Sequence, residues 1–238
     1  MVKFLQGRVG AAALISEVVC TELIRQNGFA TLNAVLVHVG EPFAASCRAK
    51  PEIPYAVEAG EHFGTIYRDD VEAGPPLSYD DLANPLELLE LWVIDTWLRN
   101  TDREVYGNIL LVASRSGKFK LIAADQSDCL CGAGTFASTG FETAMRNIRR
   151  TASTVAFLPQ VIFQSGGAEP IRAVISRIET AVKKIDEVLG LVPIPWWIVA
   201  DIDPACIKRA LLGRAQRLEE ILNPITWELP NAGQHFFV

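Results

Sequence analysis

The sequence predicts an α+β protein with a strand-containing N-terminal lobe over residues 1–80 and a mostly helical C-terminal lobe over residues 81–238. Two observations carry that prediction. Strand signals, the Val2–Leu5 run and the apolar stretch Asn33–Val39, fall before residue 80. After it, apolar residues recur at helical spacing and are interrupted by a single hairpin. The chain has 238 residues, half of them apolar and 21% charged, which is enough for two packed lobes with cores.

The elements follow in order. Val2–Leu5 reads as a strand, and Gly7-x-x-Gly10 behind it as a tight strand–helix turn that lacks the Lys-Ser/Thr of a P-loop. A helix is expected from Ala11 to Gln26, closed by the left-handed cap Asn27-Gly28. Asn33–Val39 reads as a buried strand that ends at Gly40-Glu41-Pro42. The stretch 44–76 is weakly patterned, with one short strand expected at Phe63–Tyr67. Asn84 then supplies a capping side chain and Pro85 a first helical position. The helix they open, through Leu86, Trp92, Asp95 and Trp97, is apolar nearly all round and so should be buried. It gives way at Asn100-Thr101-Asp102-Arg103 to a hairpin, with strands Ile109–Ala113 and Phe119–Ala124 about a turn at Ser114–Gly117. Cys131–Gly140 reads as a mobile loop. Helices are expected over 170–189 and 204–222, the second capped by Asp203. Trp196-Trp197 suit core or lobe-interface packing.

Several function classes find little support. A net charge of −6 argues against nucleic acid or an anionic membrane as partner. Leu189–Ala200 is too short to span a bilayer and contains Pro193 and Pro195. Glu17 interrupts the N-terminal Ala-rich run too early for a signal peptide. Five cysteines without a C-x-x-C pair suit reduced thiols in a cytoplasmic protein, and Cys129-x-Cys131 is a poor zinc signature. His38, His62 and His235 are scattered, and no G-x-S-x-G elbow accompanies them.

The remaining polar pattern points to phosphoryl transfer. That chemistry needs a carboxylate to take the acceptor proton and oxygen ligands to hold Mg²⁺ against the phosphates. Asp102 and Asn108 flank one loop, and Asp125 ends the hairpin that follows. The hairpin geometry can bring Asn108 and Asp125 side by side at its open end.

At these residues the sequence resembles the HipA-like kinase family, in particular its short stand-alone members. The resemblance lies in Asn100-Thr101-Asp102-Arg103, Asn108-Ile109-Leu110-Leu111 and Ile122-Ala123-Ala124-Asp125. It extends to Lys3 in Val2-Lys3-Phe4, Glu17 in Leu14-Ile15-Ser16-Glu17, Phe63-Gly64 and Pro195-Trp196, and is dense over residues 92–130. It implies a two-lobed protein-kinase-like fold with a truncated, strand-containing N-lobe. It further implies an ATP- and Mg²⁺-dependent phosphotransferase of toxin–antitoxin-like type acting on a protein Ser/Thr. Asp102 would be the base, Asn108 and Asp125 the metal ligands, and Lys3 the contact to the α/β-phosphates with Glu17 as its partner. On a helical wheel Glu22 falls inside the apolar arc of Leu14, Ile15, Val18, Val19 and Leu23, with Glu17 just outside it. Both glutamates therefore remain candidates at this point.

The chain departs from the family pattern in three places. Glu104 stands where the family has His, and Asn108 follows Asp102 by six positions rather than five. Asp125 is followed by Gln126-Ser127. Only Met1 and Val2 precede Lys3, so the strand–loop–strand that covers the phosphates is expected to be lacking, supplied by a partner, or cut from this sequence. A catalytically degenerate kinase-like module that binds nucleotide or a partner is the alternative expectation.

Overall fold

The computed structural model describes residues 1–5, 7–53, 57–74, 79–103, 107–136, 140–146 and 168–222. Its first half holds two small antiparallel sheets and its second half is helical. The first sheet is built from β1 (Val2–Lys3), β2 (Ala34–Val39) and β3 (Gly60–Thr65) in the order β1-β3-β2. Lys3 lies opposite Phe63 and Val35 opposite Gly64. A side chain at Gly64 would meet Val37 Cγ2 at 2.7 Å, so the close approach there requires glycine. Two helices belong to this part, α1 (Gly7–Gln26) and α2 (Glu41–Arg48).

The second sheet has β4 (Val71–Ala73), β5 (Ile109–Ala113) and β6 (Phe119–Ala123) in sequence order. β5 and β6 form the expected hairpin, with Ile109 opposite Ala123 and Ala113 opposite Phe119. Gly117 takes φ +76° in the turn, and Ser114 N donates to Lys118 O at 2.7 Å. The other helices are α3 (Leu86–Leu98), α4 (Ala133–Phe136), α5 (Phe141–Arg146), α6 (Ala168–Ala181), α7 (Ile185–Leu189), α8 (Ile194–Ala200) and α9 (Pro204–Gln216). Asn84 Oδ1 accepts from Leu86 N at 3.2 Å at the start of α3, and Asp203 Oδ1 from Ala205 N at 2.9 Å at the start of α9.

One apolar core joins these parts, drawing on Ile15 and Leu23 of α1, Trp97 of α3, Leu121 of β6, Ile178 of α6 and Leu211 of α9. Both large tryptophans at its centre also satisfy their indole N–H. Trp97 Nε1 donates to Leu211 O at 3.0 Å, and Trp196 Nε1 to Glu61 O at 3.0 Å, which fastens α8 to β3. Among the described residues no helix is long and apolar enough to cross a membrane.

The structure corrects four local expectations. α1 begins at Gly7, so Gly7 to Gly10 form its first turn rather than a separate turn. The buried run Ala11, Ala12, Leu14 and Ile15 outweighs the modest helix cost of two glycines. β2 is an edge rather than a buried strand, because no strand among the described residues covers its outer side; Val35 and Leu36 are exposed. Pro42 closes β2 but also sits in the first turn of α2, a position proline favours. Ala133–Phe136 is helical within the stretch expected to be a loop, while 137–139 lie outside the described residues.

Candidate active site

The site is assembled around the C-terminal end of α3. That helix stops because Arg99 takes a left-handed conformation, φ 52°, with the cap N–H donating to Asp95 O. The chain then folds back so that Arg103 reaches Asp95 from eight residues downstream. Arg103 Nε donates to Asp95 Oδ2 at 2.8 Å and Nη2 to Asp95 Oδ1 at 2.9 Å, a two-pronged pair with both side chains about 4% exposed. Burial opposes the Arg103 charge, but Asp95 more than offsets it and holds the guanidinium above its ordinary range.

Arg103 does more than neutralise Asp95. Its Nη1 donates to Asn108 O and to Ala124 O, both at 2.7 Å, and its Nη2 donates to Gln126 Oε1 at 2.7 Å. One guanidinium therefore clamps the two strand ends that carry Asn108 and Asp125. Ala124 N donates to Asn108 O at 3.0 Å, completing the closure. The segment after Asp125 is pinned to the same turn, with Thr101 N donating to Asp128 O and Leu130 N to Leu98 O.

Within this frame, Asn108 Nδ2 donates to Asp102 O at 2.6 Å and to Asp102 Oδ2 at 3.2 Å. Asn100 Oδ1 accepts from Asp102 N at 2.9 Å, and Asn100 Nδ2 donates to Asp95 Oδ1 at 3.2 Å. The Asp102 backbone is thus tied through Asn100 to the Asp95–Arg103 pair, while its carboxylate is held by Asn108. Glu104 lies outside the described residues.

The second half of the site is a lysine shared between two carboxylates. Lys3 Nζ is 2.5 Å from Glu17 Oε1 and 2.5 Å from Asp125 Oδ1. Three distant parts of the chain meet there: β1, α1 and the end of the β5–β6 hairpin. β1 is held by His62, whose Nδ1 accepts from Leu5 N at 2.9 Å and whose Nε2 faces Glu58 O at 2.9 Å. Glu17 is 2% exposed and its other oxygen accepts from Gln126 N at 3.0 Å. Burial and the nearby Asp125 charge push the Glu17 carboxyl up to about 7 against the pull of Lys3. Asp125 goes the other way. Burial would raise it, but hydrogen bonds from Lys3 and Ser127 outweigh that and hold it at about 2. Lys3 itself is raised, since Glu17 and Asp125 overcome its burial.

Asp125 takes φ 49°, a region that non-glycine residues visit sparingly and Asp tolerates best. Its Oδ1 accepts from Lys3 and from Ser127 Oγ at 2.5 Å. Glu17 also lies within hydrogen-bond reach of the Asp125 carboxylate.

All five residues singled out from the sequence, Lys3, Glu17, Asp102, Asn108 and Asp125, thus lie in two linked clusters, joined through Arg103 and Gln126. The choice between glutamates is settled by geometry: Lys3 pairs with Glu17, whereas Glu22 faces Arg25 Nη2 at 2.6 Å. Sequence reading missed the organising role of Asp95, Arg103 and Gln126. The available signal was an aspartate within the apolar run Leu91–Leu98, which a buried charge must answer.

No family model matches the chain, and no curated protein matches it. Among solved structures it is similar to a Helicobacter pylori proinflammatory kinase, CtkA, at 15% identity and a TM-score of 0.49, over 98% of this chain and 91% of that one. At that level the likeness assigns no activity.

Proposed function

We propose that this chain is an ATP- and Mg²⁺-dependent phosphotransferase with a hydroxyl acceptor, a protein Ser/Thr by the HipA-like resemblance. The observation that carries the reading is Lys3, held at 2.5 Å between Glu17 and Asp125 by three separate chain segments. A buried glutamate that fixes a lysine beside an aspartate is what positioning of nucleotide phosphates requires. In this reading Lys3 contacts the α/β-phosphates from the 1–80 lobe, and the 81–238 lobe supplies the chemistry.

The oxygens of Asn108 and Asp125 suit a hard divalent cation. Asn108 directs its Nδ2 at Asp102 and Asp125 directs its Oδ1 at Lys3 and Ser127, and each carries a second side-chain oxygen of the kind a hard cation takes. Magnesium bound there supplies charge neutralisation at the phosphates. Asp102 accepts the acceptor hydroxyl's proton, and Asn108, bonded to it, keeps its carboxylate oriented. Arg103 locks the loop so that little rearrangement is needed on binding. The test is transfer of the γ-phosphoryl of ATP, read as autophosphorylation or ATP hydrolysis by the purified chain. Turnover that vanishes in Asp102→Asn supports the reading. Turnover that persists unchanged in that variant overturns Asp102 as the base.

A second reading is a nucleotide- or partner-binding module without turnover. The apolar edge of the first sheet favours it, since Val35, Leu36 and Ile66 are exposed where a partner could complete the lobe. It predicts Mg·ATP binding with no Asp102-dependent consumption of ATP.

A further inference from the structure

A cavity lies away from Lys3, between α5 and the C-terminal half of α9. It encloses about 250 Å³ and is lined by Arg146, Arg209, Arg214 and Arg217 against one carboxylate, Glu142. Four positive groups stand against Glu142 on the wall and Glu220, which answers Arg217 beside it, and leave +2 in a chain whose net charge is −6. That is a local reversal of the protein's field.

Arg214 forms the floor and is 3% exposed. Its Nε donates to Trp97 O at 3.0 Å, Nη1 to Met145 O at 2.9 Å and Nη2 to Thr96 O at 2.5 Å. Burial first, then the charges of Arg99 and Arg217, pull its guanidinium down to about 10. The other three form the rim. Arg209 Nη2 donates to Glu142 Oε1 at 2.7 Å, and Arg146 Nη2 lies 3.5 Å from Glu142 Oε2, so one carboxylate answers two arginines. Arg217 forks onto Glu220 at 2.9 and 3.0 Å. A favourable helix-dipole contact accounts for Arg214 and Arg217 near the end of α9. It does not account for Arg209, in the middle of that helix, or for Arg146, which comes from α5.

We propose that this pocket binds a phosphomonoester, contacted by Arg146, Arg209 and Arg217 above the buried Arg214. Several planar guanidinium groups lining one small space suit a dianion with three oxygens better than a halide or a single carboxylate. The ligand is free phosphate or a phosphorylated side chain, which share this chemistry. Arg214 joins the pocket to the carbonyls that close α3, and Arg99 donates to Ala144 O of α5. The floor of the pocket is therefore hydrogen-bonded to the end of the helix that leads into the Asp102 turn. The proposal does not depend on the phosphotransferase reading, because anion binding is its readout.

The test is calorimetric titration of the full chain with sodium phosphate, with chloride at equal ionic strength as control. In parallel arms, a short phosphoserine peptide is compared with its unphosphorylated form. Arg146, Arg209 and Arg217 are surface arginines, so Arg→Gln at each spares the core. Phosphate binds above the chloride control, and each of these substitutions weakens it by about tenfold. Glu142→Gln, which releases two arginines, strengthens it. Arg68→Gln, at a surface arginine paired with Asp70 and absent from this pocket's wall, leaves it unchanged, which shows that the binding is not a property of any exposed arginine. Tighter binding of the phosphopeptide than of phosphate identifies a phosphorylated chain as the ligand, and equal binding identifies phosphate itself. Phosphate indistinguishable from chloride together with no preference for the phosphopeptide overturns the proposal, as does unchanged binding in the Arg146→Gln/Arg209→Gln/Arg217→Gln variant.

Discussion

Two charge clusters flank the same short segment after β6, and they are built to opposite ends. Asp95 and Arg103 are both buried, and every named oxygen and nitrogen of the pair is engaged by the other or by backbone and side-chain neighbours. Lys3, Glu17 and Asp125 hold one cation between two carboxylates, with Lys3 21% and Asp125 32% exposed. The first cluster is closed and fixes the backbone. The second keeps excess acceptor capacity and strongly displaced proton affinities, the condition expected where ligands bind. A scaffold and a working site can thus be told apart by what their charges leave unanswered.

The largest effect is expected from the closed cluster. Arg103→Leu leaves Asp95 buried without its partner and frees two carbonyls, at a cost of about 3–5 kcal/mol, measured by urea denaturation. A loss within the range of ordinary surface substitutions would remove the distinction drawn above. Next comes the open cluster: Asp125→Asn keeps the fold but lowers phosphoryl transfer by at least about 100-fold, read from initial rates. If it instead unfolds the chain as Arg103→Leu does, Asp125 belongs with the scaffold.

Glu17 offers a sharper distinction through pH. Its carboxyl is raised from 4.5 to about 7 in the folded chain, so between those values the folded state holds a proton that the unfolded state has released. Stability from this group therefore falls as pH rises from 4.5 to about 7. Asp125, held at about 2, acts oppositely: its contribution is present above its ordinary 3.8 and is lost as pH falls through about 2. Melting temperatures of Glu17→Gln across this range should lack the decline between 4.5 and 7 that Glu17 imposes on the wild type. The smallest effect is expected at Glu22, whose surface pair with Arg25 contributes less than about 0.5 kcal/mol; Glu22→Gln should leave stability and turnover intact.

Much of the frame was legible because its signals are local. The β5–β6 hairpin follows from two apolar runs around Ser114–Gly117, and both main helix caps follow from Asn84 and Asp203. Burial was legible for α3, whose apolar residues leave no solvent face, but not for β2. An apolar run reads the same whether a second strand covers it or not, and β2 turned out to lie at an edge. Asp95 announced the need for a buried partner but not that it is Arg103, because their geometry depends on the left-handed turn at Arg99, a conformation that an arginine does not announce. The Glu17–Glu22 choice needed the third dimension too. Glu22 sits nearer the apolar arc, yet it is Glu17 that meets Lys3 once β1 is in place.

The measurement that bears most directly on the central claim is the melting temperature of the intact chain with ATP, with and without Mg²⁺, beside the Asp125→Asn variant. A nucleotide site built on Lys3, Asn108 and Asp125 predicts a rise with ATP that grows when Mg²⁺ is added, and loss of the Mg²⁺-dependent part in Asp125→Asn. No Mg²⁺-dependent rise in the wild type, or the same rise in both proteins, would contradict it.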